Sequence, residues 1–205
     1  MIGIIDYGMG NVLSIYNMLK KIKVEVILSK TCDELMICDK IILPGVGAFD
    51  VGMKKLKQSN LLECLNEQIL IKRKPILGIC LGMQMLGNSS EEGTLQGLNY
   101  IPFYSKKFDF PQTQDLKIPH MGWNIVSPKI NEDPLLINLD DNQRYYFVHT
   151  YHAVCEDPSN ILLECNYGYK FVAAVKKENI YGVQFHPEKS HKFGMALLEN
   201  FAIKV

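Results

Sequence analysis

Short apolar runs alternate along the first half of the chain with segments whose apolar residues recur at helical spacing. Residues 2–5 form one such run, a glycine loop follows, and Asn11 can cap the helix that comes next. Residues 24–28 and 40–43 predict two further strands, and residues 49–71 predict a helical region. Strands that alternate with helices indicate an α/β fold, with a mostly parallel central sheet and helices on both faces.

The second half of the chain shows a different pattern. Prolines punctuate short strand candidates from residue 99 onward, and residues 144–154 predict a strand, a break and a second strand. Further closely spaced strands are predicted at 161–164, 170–175 and 179–183. Because no helix separates them, we expect an antiparallel extension of the sheet in the C-terminal half, closed by a last helix at 191–204.

Composition and charge narrow the class of protein. The 205 residues contain no linker rich in proline, glycine or serine, so residues 1–205 predict a single domain. Lys and Arg total 22, as do Asp and Glu, and no long basic run is present. This balance predicts no nucleic-acid or membrane partner. The sequence shows no targeting segment or membrane-spanning run, which favours a cytoplasmic protein.

Six cysteines are present in the chain. In a chain of this length without a signal peptide, they predict reduced cytosolic thiols rather than three disulfides. Five of them lie in no special sequence context and are expected to be structural: Cys32, Cys38, Cys64, Cys155 and Cys165.

The sixth cysteine, Cys80, lies between an apolar run and a helix-compatible segment. Residues 78–82 read Gly-Ile-Cys-Leu-Gly, the cysteine counterpart of the G-x-S-x-G nucleophile elbow. A thiol at such a turn faces unpaired N–H groups at a helix N-terminus, which favour the thiolate and can hold an oxyanion. A buried core cysteine is the alternative, and the two flanking glycines favour the elbow.

Two other segments can complete a site around Cys80. Residues 44–47, Pro-Gly-Val-Gly, end a predicted strand at the same sheet edge, where the Val46 peptide could donate to an oxyanion; an ordinary turn is the alternative. His186 and Glu188 flank Pro187, and residues two apart on an extended chain project to one side. They supply a base and its orienting carboxylate, so Cys80, His186 and Glu188 follow the logic of a catalytic triad.

Two further readings are disfavoured. The loop at residues 6–10 is too short for a dinucleotide-binding fingerprint and lacks a phosphate-binding lysine motif. A metal site at His149 and His152 is also disfavoured, because residues three apart on an extended chain point to opposite faces.

These motifs resemble those of the class I (triad) glutamine amidotransferases: residues 44–47, 78–84 and 186–188 stand in the same order. Residues 6–11, 44–49, 119–124, 149–151 and 184–190 are most similar to one branch of that family, the glutaminase subunits of imidazole glycerol phosphate synthase. The resemblance runs from the first strand to the last helix. It implies that glutamine is the substrate and that Cys80 attacks its carboxamide.

The resemblance also implies roles for other residues. The backbone N–H groups of Leu81 and Val46 would form the oxyanion hole. Groups that would hold glutamine are Gly47, Gln84, Glu92, Thr150 and Tyr151. No cofactor and no metal are predicted.

A partner is expected as well, because ammonia released into neutral water is mostly protonated and no longer nucleophilic. The resemblance implies a heterodimer with a (β/α)8-barrel cyclase that receives ammonia through a closed channel. We also expect docking and ligand binding across the interface to turn the Val46 peptide into its oxyanion-donating orientation.

Three alternatives remain open from the sequence. A paralogous glutaminase could supply a different synthase, such as one that builds amidino groups on surface sugars. A regulatory subunit could use the fold only to bind a partner. A cysteine peptidase or γ-glutamyl hydrolase could share the fold.

Overall fold

The computed structural model describes residues 1–111, 116–130, 132–139 and 142–205. Within these ranges twelve strands form one sheet. The strands are β1 Ile2–Ile5, β2 Val26–Ser29, β3 Lys40–Gly45, β4 Ile76–Cys80, β5 Ser89–Ser90, β6 Phe103–Lys107, β7 His120–Pro128, β8 Arg144–His149, β9 Tyr151–Cys155, β10 Ile161–Tyr167, β11 Tyr169–Lys177 and β12 Ile180–Val183. The α-helices are α1 Val12–Lys21, α2 Cys32–Met36, α3 Phe49–Gln58, α4 Leu62–Asn66, α5 Leu81–Met85 and α6 His191–Ile203. In these ranges no helix combines the length and apolar character needed to cross a membrane.

The sheet has a parallel half and an antiparallel half. Strands β2, β1, β3, β4 and β12 lie side by side in that order and run parallel. The sheet continues through β11, β10, β7 and β8, each antiparallel to its neighbour. This arrangement confirms the predicted α/β class, with its parallel centre and its C-terminal antiparallel extension.

Two hydrophobic cores cover the two faces of the parallel half. Alternate residues of β3 show the division: Ile42 belongs to the core beneath α1 and α6, while Ile41 and Leu43 belong to the core beneath α3 and α5. All three side chains are completely buried. Strands buried on both faces require unbroken apolar runs, which is why these segments were recognisable in the sequence.

The predicted helical region at residues 49–71 consists of three pieces. Helix α3 ends at Gln58, and Asn60 then adopts a left-handed conformation with φ of 59° before α4 begins. A π-helical segment, Glu67–Ile71, follows α4 directly. Helix α2 was not among the predicted elements, although Thr31 and Glu34 form a capping box at its start.

The expectation of six reduced thiols is wrong for two of them. Cys32, the first residue of α2, forms a disulfide with Cys64 in α4, where the two Cα atoms are 5.7 Å apart. This separation lies within the range that a disulfide can bridge. The free cysteines of the described chain are Cys38, Cys80, Cys155 and Cys165.

Candidate active site

Cys80 occupies a strained turn between strand β4 and helix α5. Its backbone has φ of 54° and ψ of −110°, a region that non-glycine residues seldom enter and that costs about 1–3 kcal/mol. The strain places the thiol at the carboxyl edge of the sheet, directly before the first N–H groups of α5. The structure therefore has the strand–turn–helix geometry that the sequence predicted for a nucleophile elbow.

Gly82 allows this turn to pack closely against the neighbouring strand. A Cβ atom at Gly82 would lie 1.9 Å from the carbonyl oxygen of Leu43, in β3. Backbone atoms cannot move aside as the end of a flexible side chain can. The second glycine of the motif is thus required by the contact between α5 and β3.

His186 and Glu188 are adjacent, as their spacing predicted. The Nδ1 atom of His186 lies 2.7 Å from Oε1 of Glu188, and both side chains are almost fully buried. The backbone N–H of His186 donates to the carbonyl of Tyr146 at 2.9 Å, which ties this segment to β8. Asn11 occupies the N-cap position of α1, but its side chain forms no cap and instead donates to Glu188 Oε1 at 3.2 Å.

The surroundings of His186 favour its protonated form. Burial disfavours the imidazolium, but hydrogen bonds with Cys80 and Glu188 outweigh burial and raise the pKa of His186 to about 10. With Nδ1 directed at Glu188, the other ring nitrogen is left for Cys80. A thiol, an imidazole and a carboxylate therefore form a continuous chain that can pass a proton to and from the sulfur.

A cavity of about 600 Å³ opens over Cys80. Nine of the ten predicted site residues line it: Val46, Gly47, Cys80, Leu81, Gln84, Glu92, Thr150, Tyr151 and His186. The tenth, Glu188, is buried behind His186. The structure thus gathers residues from five separate parts of the sequence around one space large enough for a small amino acid.

Val46, Gly47 and Glu92 line the cavity together with Cys80. Gly47 has φ of 94°, a left-handed conformation that favours glycine, and Val46 beside it is 37% exposed. Glu92 is also exposed, and its Oε2 accepts a hydrogen bond at 2.8 Å from the backbone N–H of Phe49, at the start of α3. That contact fixes the carboxylate at the cavity rim.

Gln84 is held by residues 148–151, which also line the cavity. Its Nε2 atom donates to the carbonyl oxygen of Tyr151 at 3.2 Å. The same carbonyl accepts from Nδ1 of His149 at 2.8 Å, and His149 Nε2 lies 3.1 Å from His120 Nδ1. Burial lowers the pKa of His149 to about 3 and that of His120 to about 4, so both rings are neutral. Two neutral rings can form both hydrogen bonds, because Nδ1 of His120 donates to Nε2 of His149 and Nδ1 of His149 donates to the carbonyl of Tyr151.

The structure also corrects the geometry expected for His149 and His152. Their rings do not point to opposite faces, because Thr150 interrupts the strand between them. Both rings contact Phe108, with centroid separations of 5.1 Å and 4.8 Å. Within the described ranges, no group of three or more His, Cys, Asp or Glu side chains is arranged to hold a metal ion.

Two residues at the site were missed by the sequence reasoning. Asn11, considered only as a helix cap, contacts Glu188. Gln184 is fully buried, and its side chain lies between Gln84 and Cys80. A signal for Gln184 was present in the sequence, because it precedes His186 by two residues on an extended segment and can project to the same side.

Comparisons of sequence and structure identify the family of the chain. The sequence profile of the family described as "Glutamine amidotransferase class-I" matches residues 3–205. The chain belongs to the class-I glutamine amidotransferases.

Individual relatives are similar over nearly their whole length. The chain is 53% identical to imidazole glycerol phosphate synthase subunit HisH 2 of Pseudomonas aeruginosa over 98% of both chains. It is equally similar, at 53% over 98% of both chains, to the protein of the same name from Methanococcus maripaludis. A crystal structure described as a glutamine amidotransferase superposes with a TM-score of 0.74 at 13% identity, covering 98% of this chain and 99% of that one.

Proposed function

We propose that this chain is the glutaminase subunit of an imidazole glycerol phosphate synthase, which hydrolyses glutamine to glutamate and delivers ammonia to a cyclase subunit. The observation that supports this most strongly is the buried chain from Cys80 through His186 to Glu188 at the base of the cavity. The relatives that are 53% identical bear the name of that subunit.

In the first half of the reaction, the sulfur of Cys80 attacks the side-chain carboxamide carbon of glutamine. The ring nitrogen of His186 that faces Cys80 takes the thiol proton before the S–C bond forms, because the raised pKa of His186 favours the imidazolium, and the sulfur attacks as a thiolate. Glu188 stabilises the resulting imidazolium and keeps the ring oriented. When the tetrahedral intermediate collapses, the C–N bond breaks and His186 returns the proton to the leaving ammonia. A γ-glutamyl thioester on Cys80 is the product of this half-reaction.

The oxyanion of the tetrahedral intermediate lies where backbone donors converge. Leu81 is the first residue of α5, so its N–H has no partner within the helix. The Val46 peptide, beside the positive-φ residue Gly47, supplies the second donor from the end of the neighbouring strand β3. Loss of one such donor typically costs about a hundredfold or more in rate.

The charged ends of glutamine find complementary groups at the cavity wall. The α-ammonium is held by the rim carboxylate of Glu92, and Gln84 adds an amide contact deeper in the cavity. Backbone atoms of Gly47, Thr150 and Tyr151 position the α-carboxylate and the chain of the substrate. These contacts place the carboxamide over Cys80 and exclude bulk water.

In the second half of the reaction, water attacks the thioester carbon. His186 accepts a proton from the water and donates it to the departing sulfur of Cys80. Glutamate is released and the thiol is restored, so each turnover consumes one water and yields one ammonia. The reaction needs no cofactor.

The partner is a (β/α)8-barrel cyclase that forms a heterodimer with this chain. Three apolar side chains of β7 alternate on one exposed face of the strand: Met121, Trp123 and Ile125, exposed by 62%, 44% and 52%. Pro119, one residue before β7, lines the cavity. An apolar docking face continuous with the cavity mouth suits a partner that must receive ammonia without loss to solvent. Docking there also biases the Val46 peptide toward the oxyanion.

The test uses the complex of this chain with such a cyclase and its phosphoribulosyl formimino carboxamide ribotide substrate. The wild-type complex should form imidazole glycerol phosphate from glutamine. With Cys80→Ala the complex should form it only from added ammonium salts, which bypass the glutaminase. Product from glutamine with Cys80→Ala, or no product with either nitrogen source, would overturn the proposal.

A second test addresses the partner and the acceptor. A Trp123→Asp variant should weaken complex formation at least tenfold while its fold is retained. Expression of the wild-type chain in a histidine-requiring strain that lacks its own glutaminase subunit should restore growth. A failure of both outcomes would favour a glutaminase that supplies a different synthase.

A further inference from the structure

Gln184 lies beneath the cavity, between the end of β12 and His186. Its side chain is completely buried, and it does not line the cavity. The backbone N–H of Gln184 donates to the carbonyl of Ala173 in β11 at 2.8 Å, so the residue is anchored to the sheet. A buried primary amide must satisfy its donors and acceptor within the protein.

The two ends of this amide contact two residues of the site. The Oε1 atom of Gln184 accepts a hydrogen bond from Nε2 of Gln84 at 3.1 Å. Its Nε2 atom donates toward the sulfur of Cys80 at 3.8 Å, a normal separation when sulfur is the acceptor. One side chain therefore joins the nucleophile to a residue proposed to hold the substrate.

The backbone sets the direction of these hydrogen bonds. The carbonyl oxygen of Tyr151 can only accept, so the atom of Gln84 that faces it must be the NH₂ group. The same NH₂ group faces Gln184, which must then present its oxygen. The NH₂ group of Gln184 consequently points to Cys80, and a reversed amide would set two donors against each other.

The same arrangement fixes what Gln84 offers to the cavity. Both contacts of its NH₂ group are made within the protein, to Tyr151 and to Gln184. The Oε1 atom of Gln84 is left as an acceptor for a donor group on the substrate. By accepting from Gln84, the buried amide of Gln184 thus keeps the Gln84 side chain in the orientation in which its oxygen can accept from the substrate glutamine.

We propose that Gln184 is a positioning residue for the glutaminase reaction. Through its oxygen it fixes the Gln84 amide for substrate binding, and through its NH₂ group it stabilises the thiolate of Cys80. The inference rests on the proposed function for its kinetic consequences. Its effect on the sulfur is independent of glutamine and can be measured without turnover.

Two substitutions separate the two contacts. Gln184→Glu retains an oxygen that accepts from Gln84, but it removes the donor and places a negative charge near the sulfur. Gln184→Met has similar length and removes both contacts. Gln143→Met is the matched control, because Gln143 is also buried and accepts from the hydroxyl of Tyr145 at 3.0 Å, away from the cavity.

The first measurement is the rate of Cys80 alkylation by iodoacetamide against pH, followed by mass spectrometry of the peptide that contains Cys80. We expect the pH midpoint to rise by about one unit or more in Gln184→Glu, since the thiolate loses a donor and gains a like charge. The control should keep the wild-type midpoint. A midpoint in Gln184→Glu equal to the wild-type value would overturn the inference.

The second measurement is the steady-state rate of glutamate release in the complex with the cyclase. Gln184→Glu should lower kcat about 10- to 100-fold with little change in KM, whereas Gln184→Met should also raise KM severalfold. If both variants match wild type in kcat and KM, the inference fails. If Gln184→Met does not fold, Gln184→Glu decides the result. Absence of glutamate release by the wild-type complex would instead refute the proposed function, and the alkylation midpoint would still test Gln184.

Discussion

The imidazole of His186 is joined to the carboxylate of Glu188 by a hydrogen bond of 2.7 Å, and the two side chains are only 2% and 1% exposed. This pair fixes which ring nitrogen faces Cys80. In Glu188→Gln the amide can still contact the ring, but it cannot stabilise an imidazolium. We expect glutamate release to fall about 10²- to 10⁴-fold with little loss of stability.

The matched control for this prediction is Glu199→Gln, an equivalent change at an exposed position of α6. It should retain the wild-type rate. A Glu188→Gln enzyme that works within threefold of wild type would show that Glu188 does not orient the base.

The close contact at the elbow gives a prediction on stability. Gly82→Ala places a methyl group 1.9 Å from the Leu43 carbonyl, so helix α5 must move away from β3. We expect a loss of about 3 kcal/mol or more in the free energy of unfolding, measured by urea denaturation.

Gly52→Ala serves as the comparison for Gly82→Ala. Gly52 lies in α3, and an added Cβ would approach flexible side-chain atoms of Leu81 and Met85 at 3.0 Å. Because alanine favours a helix over glycine, this variant should stay within about 1 kcal/mol of wild type. Equal losses for the two variants would refute the steric account of the elbow.

The buried histidine pair makes stability depend on pH. Burial holds the pKa of His149 at about 3 and that of His120 at about 4, below the ordinary value of 6.5. Below pH 6.5 the unfolded chain binds protons that the folded chain does not. The contribution of these two histidines to stability should therefore be full above pH 6.5 and should fall by about 1.4 kcal/mol per pH unit for each histidine on acidification.

The variant His149→Gln tests this dependence by removing one of the two groups. Between pH 7 and pH 5 its loss of unfolding free energy should be about 2 kcal/mol smaller than that of wild type. The exposed His191→Gln serves as control and should follow the wild-type dependence. A fall in His149→Gln as steep as in wild type would contradict the assignment of neutral, buried rings.

The disulfide between Cys32 and Cys64 closes a loop with a sequence separation of 32. A cross-link of this span stabilises a fold by about 3–4 kcal/mol, because it lowers the conformational entropy of the unfolded chain. Protein purified without reductant should show four titratable thiols after denaturation and six after reduction, and reduction should lower the unfolding free energy by that amount. Six thiols before reduction would contradict the bond.

Much of the fold and the candidate site could be predicted because local patterns determine them. The runs that became β3 and β4 are apolar at every position needed for burial on both faces, and the glycines around Cys80 predicted a sharp turn. The spacing of His186 and Glu188 predicted their contact. Each of these inferences concerns residues close in sequence, where geometry follows from the type of element.

Other features depend on contacts between distant segments. Cys32 and Cys64 meet only because α2 and α4 pack together, and α2 itself was not predicted. The directions of His149 and His152 depend on the break at Thr150. The role proposed for Gln184 depends on its contacts with Gln84 and Cys80, which lie about a hundred positions earlier. Sequence periodicity cannot predict contacts between segments so far apart.

The measurement that tests the central claim most directly is the intact mass of the chain after rapid acid quenching during turnover of glutamine with the cyclase present. We expect a γ-glutamyl adduct on the wild-type chain, located by peptide mapping at Cys80, together with glutamate release. Cys80→Ala should show neither. Glutamate released by Cys80→Ala at the wild-type rate, or an adduct on a cysteine other than Cys80, would contradict the account.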